Sequence, residues 1–259
     1  MSSAREIHYL SPPAKVSMAD CWFELASVDH FWIRRRFEVL QRLAGPMITS
    51  AREVAEVGCG NGLLQRQIED RYDRPVMGFD LNEYALKRNL SRLSAVCCYD
   101  INERDSSLQG KFDLVFLFDV LEHIVNEDRF LDALIYHLVP TGKVVVNVPA
   151  GQWAYSSYDR AAGHVRRYSI RSVSEVAARN KLRITAWTYW GLPLLSALAL
   201  RKLWFLGSWD ADRVVSFGFD PRTNIINMFL KSISRYETIP QKLAGSSLMF
   251  ILQVGRNRD

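Results

Sequence analysis

The sequence predicts an α/β domain built on an open, mostly parallel sheet, and three observations carry that prediction. Short apolar stretches alternate with segments of helical character from residue 54 onward, as strands and crossover helices must. The first stretch runs straight into Gly58-Cys59-Gly60-Asn61-Gly62, which places glycines at alternate positions just before a helix-like segment. Successive strands end at or beside an acid, namely Glu56, Asp80, Asp100 and Asp119. Ligands of open α/β sheets bind beyond the carboxyl ends of the strands, near the switch in strand order, so acids gathered there point to a ligand.

Taken in order, residues 19–43 read as a helix carrying Trp22, Phe23, Phe31 and Trp32, with Gly45-Pro46 as its stop. Residues 54–57 are the first strand. A buried parallel strand needs a crossover helix, and a tight glycine turn makes that change of direction while leaving bare backbone for a ligand. A helix follows to about residue 72. The second strand, 75–79, ends in Asp80, and Asn82 is placed to cap a helix over 83–92. The third strand, 95–99, ends in Asp100. Residues 112–118 form a nearly unbroken apolar run, as expected of a strand buried on both faces, and lead to Asp119. A helix over 126–138 is expected to stop at Pro140 and Gly142. Strand five is 143–148, a helix covers 170–180, strand six is 182–189, and 248–254 is the last strand.

Composition narrows the function. The chain has 259 residues, 48% of them hydrophobic, enough for a sizeable core. Net charge is +5 and the pI about 9.1. The arginine groups Arg34-Arg35-Arg36, Arg166-Arg167 and Arg256 with Arg258 read mostly as solvated surface, and no nucleic-acid module is recognisable, so no nucleic-acid partner is expected. Cys21, Cys59, Cys97 and Cys98 form no C-x-x-C pair, and no metal site is expected. This cysteine usage and the polar N-terminus fit a cytoplasmic protein. The longest apolar run, 191–200, is about half of a membrane span.

The glycine pattern excludes two familiar nucleotide loops. A dinucleotide loop needs a third small residue at position 63, which is Leu63, and no Gly-Lys-Ser/Thr follows for a phosphate loop. An acid followed by Gly-x-Gly-x-Gly resembles the cofactor loop of class I S-adenosylmethionine-dependent methyltransferases. Residues 112–115 with Asp119-Val120-Leu121-Glu122-His123-Ile124 resemble that family's fourth-strand motif, and residues 142–146 its fifth strand. A subgroup is similar in three further places: His30-Phe31-Trp32 through Arg36, the loop from Tyr158-Asp159-Arg160 to Gly163-His164-Val165-Arg166-Arg167-Tyr168, and Gly245-Ser246-Ser247-Leu248, where Ser246 is an extra residue.

The resemblance implies a Rossmann-like, seven-stranded sheet with its last strand antiparallel; the chain then divides into an N-terminal helical lid (1–50), whose aromatics suit core packing equally, a core (51–190), an acceptor-capping insertion (191–246), whose alternative is packing on the sheet, and a final strand and tail (247–259). It implies S-adenosylmethionine as cofactor and S-adenosylhomocysteine as product. Asp80 would accept the ribose hydroxyls, Asp100 with Ile101 the adenine, and Glu56 the amino group, over backbone at Gly58, Cys59, Gly60 and Gly62. Leu81, Asp119, Val120, His123, Trp32 and Arg36 complete the expected cofactor set. The plainer alternative for each of these aspartates is a cap on the following helix. His164 is the first candidate base, because an imidazole titrates near neutral pH, with His123 second and Asp159 orienting His164 or acting itself. The alternative is a loop-stabilising cluster of Asp159, His164 and Arg166 or Arg167. The aromatic insertion suggests a hydrophobic or aromatic small-molecule acceptor, or a lipid-linked one reached by peripheral membrane contact through 191–206; a homodimer contact is the other use for it. An oxidoreductase and a non-catalytic cofactor-binding protein remain the rival classes.

Overall fold

A computed structural model of the chain describes residues 6–16, 23, 27–204, 232 and 236–255, apart from the side chains of residues 197, 200, 201, 203 and 204. Its frame is one sheet of eight strands: β1 (Ile7–Tyr9), β2 (Val54–Val57), β3 (Met77–Asp80), β4 (Val96–Cys98), β5 (Phe112–Phe118), β6 (Leu138–Pro149), β7 (Leu182–Trp190) and β8 (Ser247–Val254). The spatial order is β1-β4-β3-β2-β5-β6-β8-β7. β1 to β6 pair in parallel, and β8 runs antiparallel between β6 and β7. The order reverses between β2 and β5, so the crevice for a ligand opens where those two strands end.

Side-chain alternation assigns the two faces. Val115, Leu117, Val144, Val146, Leu248 and Phe250 point to one core, where helices α4 (Glu127–Tyr136) and α6 (Ile170–Arg179) cover them. Leu114, Phe116, Val145, Met249 and Ile251 point to the other, under α1 (Phe31–Ser50) and α2 (Leu63–Tyr72). Each such side chain, taken fully out of water, contributes roughly 1.5–3 kcal/mol before entropy is charged. The remaining α-helices among the described residues are α3 (Glu83–Leu86), α5 (Ser157–Ala161) and α7 (Leu195–Trp204).

Several expectations change. The sheet has one strand more than expected, because β1 adds in parallel to the edge at β4. Three residues are too few to display an alternation. Helix α1 does not stop at Gly45-Pro46 but runs on to Ser50 with Pro46 inside it. Ile48 and Ala44 are buried in the core beneath, which holds the last turn in place, and Thr49 Oγ1 donates to the Gly45 carbonyl, 3.2 Å away. Val39, Leu40, Ala44 and Ile48 make this helix a core layer. Helix α3 is a single turn capped by Asn82, whose side chain accepts from the Ala85 N–H; the chain after it folds back so that the Leu90 N–H donates to the Asn61 carbonyl. Strand β6 begins at Leu138, and Pro140 and Gly142 sit in the register shift between its two pairings with β5.

Within the arginine groups expected as solvated surface, three members are not, while Arg256 and Arg258 lie outside the described residues. Arg35, Arg36 and Arg167 are buried and face Glu237, Asp119 and Asp159 respectively. Of the aromatic insertion expected to cap the acceptor, residues 205–231 and 233–235, which include Phe205, Trp209, Phe217 and Phe219, lie outside the described residues. No helix among the described residues is long and apolar enough to cross a membrane.

Candidate active site

The carboxyl ends of β2, β3, β4 and β5 surround a cavity of about 410 Å³, within the range of small-molecule sites. Its floor is the glycine loop. Gly58 has φ +76°, and a Cβ there would stand 2.2 Å from Val120 Cγ2. Gly60 has φ +51°, and a Cβ there would stand 2.8 Å from the Phe23 ring. Both positions therefore need glycine for backbone conformation and for space. The Gly58 and Cys59 N–H groups donate to the Phe79 carbonyl at 2.8 and 3.0 Å, which folds the loop against the end of β3.

The acids stand round this floor. Asp80 accepts from the Gly60 N–H at 2.7 Å and the Asn82 N–H at 2.8 Å, and burial pushes its pKa up against those bonds. Asp100 caps the turn after β4, accepting from the Asn102 N–H at 2.9 Å and its side-chain amide at 2.8 Å, with Ile101 beside it. Asp119 leaves β5 with φ +57°, accepts from Asn147 Nδ2 at 2.7 Å and is ion-paired to Arg36. Arg36 also lies over the rings of Trp32 and Phe118, 5.1 Å from each.

Glu56 differs from the other three. It is 3% exposed, and its Oε2 has no hydrogen-bond partner. Desolvation pushes its pKa up to about 8 against the attraction of Arg36, with Asp80 and Asp119 adding to the rise. Arg36 Nε is likewise buried without a partner. One orphaned acceptor and one orphaned donor thus border the same cavity, and a zwitterion supplies what each lacks.

Most of the expected set lines this cavity: Arg36, Glu56, Gly58, Cys59, Gly60, Asp80, Leu81, Asp100, Ile101, Asp119, Val120 and His123. Trp32 and Gly62 do not. Trp32 packs on Trp190 with ring centroids 5.4 Å apart and serves through Arg36, while Gly62 caps α2 beneath Asn89. His164 and Asp159 also stand outside the wall. His164 lies behind His123, ring centroids 4.9 Å apart. Its Nδ1 is 3.0 Å from Asp159 Oδ1, which also accepts from Arg167 Nε at 2.7 Å. Burial works to raise the Asp159 pKa, and the His164 hydrogen bond with the Arg167 charge overcomes it, holding the group near about 2. Asp159 therefore both orients His164 and ties the loop together. His123 is lowered to about 4 by burial and by His164, and its Nδ1 lies 3.2 Å from the Gly163 carbonyl.

The expected set omits several residues of the site, among them Phe118, Asn61, Ile124, Phe130 and Asn147. Phe118 and Asn61 line the cavity, and each sits next to a residue already singled out. Asn147, wholly buried, bridges Asp119 to Trp190 Nε1; its signal was a lone amide in an apolar strand. The expectation of no metal-ligand cluster is also corrected. The fold brings donor atoms of Glu122, His123 and His164 within 4.8 Å of one another, a grouping hidden by the sequence distance between the two histidines.

A family defined by a methyltransferase domain matches residues 28–194. The chain belongs to this methyltransferase family. A probable S-adenosylmethionine-dependent methyltransferase of Mycobacterium tuberculosis is 33% identical over 123 residues, which is 47% of this chain and 44% of that protein. A ubiquinone biosynthesis O-methyltransferase of Idiomarina loihiensis is 32% identical over 101 residues, 36% of this chain and 40% of that one. The chain thus matches less than half the length of either relative. In solved structures, the N-methyltransferase NodS of Bradyrhizobium japonicum, in complex with S-adenosylhomocysteine, superposes with a TM-score of 0.55 at 14% identity, covering 93% of this chain and 99% of that one. The fold is the Rossmann-like methyltransferase fold, and the family's cofactor is S-adenosylmethionine. The residues present fit it: the orphaned Glu56 oxygen and Arg36 nitrogen suit an amino-acid end, and the glycine floor is a cradle that a Cβ would fill.

Proposed function

We propose that the chain is an enzyme that moves the methyl group of S-adenosylmethionine to an oxygen, nitrogen or carbon atom of a hydrophobic or aromatic small molecule. The observation that carries this reading is the unpartnered Glu56 and Arg36 pair at the edge of a glycine-floored cavity. The cofactor supplies an electrophilic methyl carbon on a cationic sulfur. Glu56 takes its ammonium group and Arg36 its carboxylate. Asp80 keeps lone pairs for the ribose hydroxyls beyond the two bonds that it accepts from the backbone. Asp100 and Ile101 face the adenine. Because the donor is already activated, the protein's task is alignment and the removal of the acceptor's proton. That proton falls to the imidazole pair, His123 in the wall with His164 held behind it by Asp159. Apolar walls at Phe118, Ile124 and Phe130 support a hydrophobic acceptor, and the relative named for O-methylation in ubiquinone biosynthesis supports an oxygen nucleophile.

Calorimetric titration tests the reading. S-adenosylmethionine is expected to bind one per chain and NADH not at all. Glu56→Gln should weaken cofactor binding by about 10- to 100-fold, the worth of one charge-assisted hydrogen bond. His164→Ala should bind cofactor normally and lose most turnover on any acceptor found by screening phenols and amines. Binding of NADH in place of S-adenosylmethionine would return the oxidoreductase class. Cofactor binding without turnover on any acceptor is the expectation of a non-catalytic binder.

A further inference from the structure

We propose that Glu122, His123 and His164 form a binding site for one divalent first-row transition cation of the zinc or cobalt type, at the edge of the cofactor cavity. One donor atom from each residue lies within 4.8 Å of the other two. A cation bound at about 2.1 Å holds tetrahedral ligands about 3.4 Å apart, so small side-chain adjustments close the set.

Both imidazoles are prepared as ligand imidazoles are. His164 Nδ1 faces Asp159 Oδ1 at 3.0 Å, the oxygen that also accepts from Arg167 Nε at 2.7 Å, so Nδ1 is placed to donate and Nε2 carries the lone pair. His123 Nδ1 faces the Gly163 carbonyl at 3.2 Å; a carbonyl only accepts, so the same tautomer follows. A carboxylate or backbone carbonyl on the far ring nitrogen is what fixes histidines in metal sites. The third donor comes from an independent observation. Glu122 is 1% exposed, and its Oε2 has no hydrogen-bond partner. Buried carboxylates are costly unless they are paired or coordinate a metal.

The donor set names the chemical class. Two imidazoles and one carboxylate suit zinc, cobalt, manganese or ferrous iron, whereas magnesium and calcium favour oxygen ligands alone. Three protein ligands leave a coordination position open. His123 lines the cavity, so the site borders the space in which an acceptor would sit. This inference rests on the methyl-transfer reading and deepens it, since the fitting acceptor then carries a hydroxyl group. Bound to the cation, that hydroxyl loses its proton to solvent more readily. Its oxygen then bonds to the methyl carbon as the carbon–sulfur bond breaks, leaving S-adenosylhomocysteine. With the cation bound, the two imidazoles hold it and the proton goes to solvent; without it, they are the groups that take the proton.

The test uses the full chain after dialysis against a chelator. Zn²⁺ is titrated calorimetrically, and Co²⁺ is added as a spectroscopic probe whose visible bands report nitrogen and oxygen ligands. One equivalent of each is expected to bind. Glu122→Gln and His164→Asn should each raise the dissociation constant about 10-fold or more and remove the cobalt bands. Circular dichroism is run on both variants, and His123→Asn is the replacement if either is unfolded. No binding overturns the proposal, and so does binding that folded variants leave unchanged. Cofactor titration in parallel separates the two readings. A chain that binds S-adenosylmethionine but no cation loses only this inference, whereas a chain that binds cation but no S-adenosylmethionine loses the methyl-transfer reading.

Discussion

Glu56 shows how one residue's chemistry follows from where its strand ends. In solution it would ionise near 4.5, whereas at the tip of β2 desolvation lifts it to about 8. Between those values the folded chain keeps a proton that the unfolded chain has lost, so raising the pH disfavours the fold. Stability present below about pH 4.5 is therefore lost progressively as pH rises through about 8. The melting temperature of the cofactor-free protein should fall over that window, and Glu56→Gln should flatten the slope; an unchanged slope in the variant would assign the effect to another group. Gly58 is the second residue whose role is set by its surroundings. Gly58→Ala meets Val120 and a left-handed φ together, and should cost roughly 1–3 kcal/mol in urea unfolding. Adding Val120→Ala should recover the steric part and leave the conformational part. The alternate glycines were legible in the sequence because φ and close approach are local demands. The Asn147–Asp119–Arg36 chain was not, because its members lie on three separate elements.

Among the elements, helix α1 departs most from its local signals. Gly45-Pro46 is a stop by propensity, yet the helix continues because Ile48 and Ala44 find the sheet beneath them. Tertiary burial outweighs a missing N–H when the turn after the proline carries core side chains. Ile48→Ala should therefore destabilise the protein by about 2–5 kcal/mol in chemical denaturation. A loss within about 0.5 kcal/mol, as at an exposed site, would mean that the last turn is not anchored. Strand β6 shows the reverse case. Pro140 and Gly142 do act as breakers, but inside the strand, where they mark its register shift against β5. Breaker residues announce that something changes without saying whether it is a boundary or a bulge.

At the scale of the molecule, the sheet order β1-β4-β3-β2-β5-β6-β8-β7 places the functional cavity, since the reversal between β2 and β5 gathers the four acids round one crevice. Strand β1 lies at the far edge and pairs with β4 through three residues. A chain without residues 1–9 should keep its far-ultraviolet circular dichroism and its cofactor binding, and melt a few degrees lower; failure to fold would make β1 part of the nucleus of the sheet. By itself the sequence determined the alternation of strands and helices, the glycine loop and the acids at the strand tips. Each of these is written in residues close together along the chain, where period, backbone sterics and strand length act directly. Only the tertiary structure decided that Arg36 reaches Asp119, that Glu56 is left without a partner, and that His164 stands behind His123 beside Glu122. Those facts depend on which elements the packing of two cores brings together, and no stretch of sequence carries that information alone.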